Sequence, residues 1–123
     1  MTGQSEGGTS LGTAIIFTAR MEELAHFYEE GLEIGPFERS PSHMGCQLGA
    51  VYFGFDQVEG AEGNTKGGVT LWFTVDDLQA TFERLVAMGA RVKSPPAEKP
   101  WGARLAAVYD PDGNLLGLSQ RRS

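Results

Sequence analysis

The feature that most constrains this chain is an order of elements that runs twice. Thr13-Ala-Ile-Ile-Phe-Thr18 is apolar and partly β-branched, as a strand is. Leu24, Phe27, Tyr28 and Leu32 then recur at i, i+3, i+4 and i+8, with Glu22, Glu23, Glu29, Glu30 and Glu33 on the other face, which predicts a helix. Three strand-like stretches follow, Phe37–Ser40, His43–Leu48 and Val51–Phe55, punctuated by Pro41 and Gly49. After a Gly-rich loop, Gly60–Gly68, the pattern restarts. Val69–Val75 reads as a strand and Asp76 or Asp77 as an N-cap. Leu78, Phe82, Leu85 and Val86 form the apolar stripe of a second helix closed at Gly89. Arg91–Lys93, Arg104–Tyr109 and Leu115–Ser119 complete the second half. Ser94–Gly102 reads as a proline-stiffened loop and Asp110-Pro-Asp-Gly-Asn114 as a tight turn. Thr18–Phe27 resembles Thr74–Phe82 at an offset of roughly 55 residues, the scale of an internal duplication.

The repeat implies an α+β fold of two βαβββ modules. Each module alone leaves a sheet face bare, and pairing two of them leaves a concave sheet face able to enclose a ligand. At 123 residues the chain suffices for one domain with a core and is too short for two. Residues 1–10, rich in Gly, Ser and Thr, read as a flexible tail, and 11–123 as a single domain, with repeat one about 11–58 and repeat two about 68–121.

Charge and composition exclude several functions. A formal net charge of -6 argues against nucleic-acid backbones, which need a basic surface, and suits a neutral or cationic small molecule. No apolar run approaches the roughly 20 residues of a membrane span, and no basic-then-apolar signal pattern opens the chain, so no membrane partner and a cytoplasmic location are expected. The single cysteine, Cys46, cannot form an internal disulfide and reads as a small buried hydrophobe. No phosphate loop, nucleophile elbow, paired-cysteine zinc pattern or dinucleotide fingerprint is present.

Particular motifs point further. Phe27-Tyr28 with Gly31-Leu32, Val75-Asp76-Asp77-Leu78, Met88-Gly89-Ala90, Pro100-Trp101-Gly102 and above all Tyr109-Asp-Pro-Asp-Gly-Asn-Leu115 recur in one known setting. With them the chain resembles the vicinal oxygen chelate superfamily, which includes glyoxalase I, extradiol dioxygenases, fosfomycin-resistance enzymes and bleomycin-binding proteins. The resemblance implies a curved, partly open mixed sheet around a concave pocket. It also implies metal ligands, usually His, Glu or Gln, on the first and last strand of each half. The matching positions here are Thr13, Phe53, Thr70 and Gly117, and a shift of one residue brings in no better donor set. The resemblance therefore carries over without a metal or other cofactor, and without metal-dependent glyoxalase I activity.

Period-two alternation assigns faces to the strands. Ala14, Ile16, Leu71, Phe73, Leu116 and Leu118 are expected toward the helices. Thr13, Ile15, Phe17, Val51, Phe53, Phe55, Thr70, Trp72, Leu115, Gly117 and Ser119 are expected on the concave face. The ligand-binding candidates are Thr13, Phe53, Phe55, Thr70, Trp72, Trp101, Arg104 and Gly117. Trp72 and Trp101 offer flat faces for an aromatic or cationic ligand, or else pack in the core or a dimer interface, and Trp101 is expected to close over the pocket. Arg104 suits an anionic group or an exposed strand end. His43 reads as a solvated loop residue, with a general-base role as its alternative. His26 reads as exposed on the first helix, and one of Glu38 and Arg39 faces the pocket. The functional expectation is a small-molecule binder working without a metal, probed against two rivals: a diverged lyase, isomerase or dioxygenase-like enzyme, and a domain serving assembly or regulation. The resemblance and the apolar sheet edges together imply a homodimer in which strands of both copies complete each pocket.

Overall fold

A computed structural model describes residues 8–63 and 69–122. The expected tail and the Gly60–Gly68 loop lie partly outside the described residues, at 1–7 and 64–68. The first module runs β1 (Thr13–Thr18), α1 (Met21–Leu32), β2 (Glu38–Ser40), β3 (His43–Leu48) and β4 (Val51–Gln57). The second runs β5 (Leu71–Val75), α2 (Leu78–Ala87), β6 (Arg91–Glu98), β7 (Arg104–Tyr109) and β8 (Leu115–Gln120). Each module forms a four-stranded mixed sheet, ordered β1-β4-β3-β2 in the first and β5-β8-β7-β6 in the second. In both, the first strand pairs parallel with the last, and the remaining pairs are antiparallel.

The duplication is visible in atomic detail at the strand-to-helix junctions. Met21 N–H donates to Gln57 Oε1 at 2.9 Å while Gln57 Nε2 donates to the Ala19 carbonyl at 2.6 Å. Leu78 N–H donates to Gln120 Oε1 at 2.8 Å while Gln120 Nε2 donates to the Asp76 carbonyl at 2.6 Å. One glutamine at the end of the last strand thus satisfies an orphan helix N–H in each half. Asp77, of the two aspartates offered by the sequence, adds a side-chain cap by accepting from Ala80 N–H at 3.1 Å.

The amphipathic helices meet each other and the inner face of each sheet. Tyr28 on α1 lies against Phe53 and Phe55 of the first sheet and Phe73 of the second, with ring centroids 5.2–6.0 Å apart. Gly31 lets Leu85 of α2 approach closely, and Arg84 Nε donates to the Gly31 carbonyl at 3.0 Å. A polar latch also joins the modules. Asp110 accepts from the buried Tyr28 hydroxyl at 2.8 Å and, within its own turn, from Asp112 N–H, Asn114 N–H and Asn114 Nδ2. Asp112 in turn receives Thr18 Oγ1 at 2.6 Å and the Arg20 guanidinium at 2.7 Å. The Asp-Pro-Asp-Gly turn therefore fastens one module to the other besides closing a hairpin.

The structure corrects two readings of the sequence. Pro95 and Pro96 do not end a strand: β6 continues through them to Glu98, with register shifts at Val92/Ser94 and Ser94/Ala97. An end strand tolerates prolines because its outer N–H groups have no ladder partner to lose. The second correction concerns β4. Val51, Phe53 and Phe55 face the helices, not the concave side, and Phe53 and Phe55 are buried in the core at 2% and 0% exposure. The face reading holds for Ala14, Ile16, Leu71, Phe73, Leu116 and Leu118, all of which belong to the core or pack on it.

Candidate functional site

The sheet faces turned away from the helices carry the chemistry. On the first sheet the open face presents Tyr52, Gly54 and Asp56 of β4, His43, Gly45 and Gln47 of β3, and Ile15 and Phe17 of β1, as the pairings of Gly54 with Ile15 and Gly45 require. Glu38 stands opposite Gly45 and shares that face. Arg39 turns the other way, to Glu22 and Glu29 of α1. His43 is not a free loop residue: its Nδ1 lies 2.6 Å from Asp56 Oδ1 and its Nε2 2.7 Å from the Tyr52 hydroxyl. Burial raises the Tyr52 phenol above its ordinary value, helped by the negative charges of Glu38 and Asp56.

On the second sheet the open face presents Trp72 and Thr74 of β5, Gly117 and Ser119 of β8, Ala107 and Tyr109 of β7 and Arg91 of β6. Trp72 is half exposed, and its indole covers Gly117 so closely that a Cβ there would overlap the ring. The Arg91 guanidinium stacks 4.2 Å from the centre of the Tyr109 ring.

The remaining candidates are scattered. Thr13, exposed at the start of β1, pairs with Tyr52 and so shares the first open face, while Thr70 precedes β5. Arg104 lies on the helix side, where it donates to Gln79 of α2 at 3.3 Å, so it does not reach the open face. Trp101 sits at the tip of the β6–β7 hairpin, 68% exposed, and does not close over Trp72. Among the described residues it makes no ring contact. A hollow of about 850 Å³ lies at the junction of the modules. Phe53, Leu32 and Ile34 border it together with the whole of β5. Its apolar wall is continuous with the core, and among the described residues β5 ends its sheet along this rim. Thr70 and Trp72 border it as well.

The paired glutamines set the internal alignment. Gln57 and Gln120 are equivalent, so Gly54 and Gly117, each three residues earlier, occupy the same position in their modules. The parallel registers agree, since Ile15 pairs with Gly54 and Trp72 with Gly117. The position on β4 equivalent to Gly117 is therefore Gly54, one residue from the Phe53 expected from sequence. A set of Thr13, Gly54, Thr70 and Gly117 offers two hydroxyls and two bare glycines, which do not fit a divalent metal. No group of three His, Cys, Asp or Glu that could hold a metal ion occurs among the described residues.

With this geometry in view, comparison with known proteins gives one family. Residues 10–118 match the Glyoxalase/Bleomycin resistance protein/Dioxygenase superfamily. The chain belongs to that superfamily. A glyoxalase-related enzyme from Fulvimarina pelagi superposes with a TM-score of 0.77 at 23% identity, covering 91% of this chain and 88% of that one. A glyoxalase/bleomycin resistance protein from Albidiferax ferrireducens T118 gives a TM-score of 0.77 at 23% identity, over 91% and 98% of the two chains. Both likenesses concern the superfamily fold. An uncharacterized protein, YraH of Bacillus subtilis (strain 168), is 32% identical over 64 residues, 51% of this chain, which spans about half the length of that relative. No helix among the described residues is long and apolar enough to cross a membrane.

Proposed function

We propose that the chain binds a flat aromatic or cationic small molecule, without a metal, on the open face that carries Trp72. The observation that carries this reading is the Trp72 indole lying over Gly117. Where the superfamily's metal enzymes project a ligand, this chain has a glycine roofed by a half-exposed aromatic face. Such a face stacks on planar molecules and attracts cations. Glu38 and Asp56 on the other open face, together with the net charge of -6, favour a positive ligand.

A homodimer fits the same reading. β1 and β5 each end a sheet, and Phe17 and Trp72 beside those edges are 59% and 50% exposed. Pairing β1 of one copy with β5 of the other would cover both edges and set the first open face of one copy beside the second open face of its partner. A second reading, a diverged lyase-, isomerase- or dioxygenase-like enzyme, is favoured by one feature, the hydrogen-bonded Tyr52–His43–Asp56 chain.

The test screens planar aromatic cations and their neutral counterparts by thermal shift and indole fluorescence, since a binder of the native state raises the melting temperature. Binding is expected to quench the indole, and Trp72→Ala to weaken it at least tenfold, about 1.4 kcal/mol. Undiminished affinity in Trp72→Ala, or one tightly held metal per chain in elemental analysis, would overturn the reading.

A further inference from the structure

The first open face carries a chain of groups that stacking a ligand does not require. His43 pairs across β3 and β4 with Asp56, and Tyr52 reaches back along β4 to the other ring nitrogen, at 2.6 Å and 2.7 Å. The two rings lie nearly parallel, 13° apart in plane with centroids at 5.7 Å. Two glycines make this possible. Gly45 and Gly54 are directly paired in mid-sheet, where a Cβ on Gly45 would overlap the Tyr52 phenol and one on Gly54 would crowd His43 and the Met44 carbonyl. Paired glycines inside strands weaken a sheet, so stability is given up here to seat the two rings.

The bonding order follows from donors and acceptors. A carboxylate only accepts, so Nδ1 of His43 carries the hydrogen toward Asp56, and in the neutral imidazole the Nε2 lone pair accepts from the Tyr52 hydroxyl. Asp, His and hydroxyl in this order are recognised by geometry and role, not by sequence position. The group is also reachable: the His43 and Asp56 side chains are 34% and 40% exposed.

We propose that Tyr52, His43 and Asp56 form a proton relay in which the Tyr52 hydroxyl is the general base toward an acidic C–H or O–H group of a flat ligand. The inference deepens the binding reading and rests on it through the proposed pairing of β1 with β5 of a second copy, which sets this face beside the Trp72 face of that copy. As the ligand's proton bonds to Tyr52 Oη, the hydroxyl's own proton passes to His43 Nε2, and Asp56 stabilises the imidazolium. The electron pair of the broken bond stays on the ligand. Return of the proton to a different ligand atom completes an isomerisation that needs no oxidant or reductant. Tyr52 and His43 touch the moving protons, and Asp56 is a positioning residue. The charged groups facing the relay are Glu38 from β2 and Asp56 from β4. Cys46 on β3 acts on Tyr52 from the other side of the sheet, and β1 contributes the uncharged Thr13, Ile15 and Phe17. Because burial holds the phenol above its ordinary value, transfer to His43, not free ionisation, is what makes its oxygen basic.

The full chain can be tested with 5-nitrobenzisoxazole, a planar carbon acid. A base removes its ring C–H proton, the C–H pair becomes the third bond of a nitrile, and the N–O bond breaks to release a coloured nitrophenolate. The expected result is a kcat/KM above that of free imidazole at equal concentration, rising with pH to a plateau. Tyr52→Phe and His43→Gln should each lose about a hundredfold. Asp56→Asn should shift the pH profile, which loss of a merely structural contact would not do. His26→Gln, at the exposed histidine of α1, should change nothing. A rate no higher than free imidazole, or an unchanged rate in Tyr52→Phe with native circular dichroism, overturns the relay. Indole quenching read in the same samples separates the two ideas. Quenching without turnover overturns the relay and leaves the binding reading intact, whereas Tyr52-dependent turnover without quenching supports the relay and refutes the Trp72 site.

Discussion

Replacing Tyr28 with Phe tests the latch between the modules more cleanly than any deletion. The ring keeps its neighbours Phe27, Phe53, Phe55 and Phe73, so no cavity opens. Only the hydroxyl that donates to Asp110 is lost, between side chains 1% and 4% exposed. A buried hydrogen bond to a charged acceptor contributes about 1.5–3 kcal/mol, and removing the donor leaves Asp110 with three donors instead of four. For a domain of this size that corresponds to a Tm lower by about 6–12 °C. The pH dependence has a definite sign. Burial raises the Asp110 carboxyl above its ordinary value, and hydrogen bonds from Asn114, Tyr28 and Asp112 pull it back part-way. A carboxyl raised in the folded state binds its proton more readily there than in the unfolded chain, so its ionisation opposes folding and acidification relieves that opposition. Without the Tyr28 donor the carboxyl rises further. The loss in Tyr28→Phe should therefore be full at neutral pH, where Asp110 is ionised, and shrink as pH falls through its titration. Urea unfolding of both proteins at neutral and mildly acidic pH measures this directly. A loss below about 0.5 kcal/mol at neutral pH, or one that does not shrink on acidification, would refute the assignment of Asp110 as a carboxylate held by Tyr28.

Gln57→Ala and Gln120→Ala should cost similar amounts, about 1 kcal/mol each by chemical denaturation, because each removes the same helix-start contact in its own module. Unequal costs would argue against the equivalence that assigns Gly54. Trp72→Ala should lower stability by about 1–2 kcal/mol, less than the 3–5 of a buried aromatic, since the indole is half exposed. A larger loss in thermal melts would place the ring in a buried contact. Light scattering at micromolar concentration is expected to give a dimer mass, and a monomer would leave the β1 and β5 edges without the partner proposed for them.

Much of this molecule is legible in one dimension because its signals are local. The 3.6-residue spacing of Leu24, Phe27, Tyr28 and Leu32 fixes α1 and its buried stripe, and the Asp-Pro-Asp-Gly run fixes a turn, with Gly113 at φ 89°. Strand faces in β1, β5 and β8 were also readable, since polar and apolar residues there alternate in a way that suits only one orientation. On β4 the pattern fails: Val51, Tyr52, Phe53 and Phe55 include an aromatic on each parity, and a one-residue change of choice reverses every side chain. Only packing decided it, because Tyr28 of α1 and Phe73 of β5 need Phe53 and Phe55 as partners while Tyr52 finds room over Gly45. The polar groupings were likewise beyond the sequence. Asp110 meets Tyr28 across 82 positions, and His43 reaches Asp56 and Tyr52 only through the β3–β4 register. Periodicity states which side of its own element a residue occupies. Which residues of other elements stand opposite is set by strand register and helix crossing, and those are properties of the folded whole.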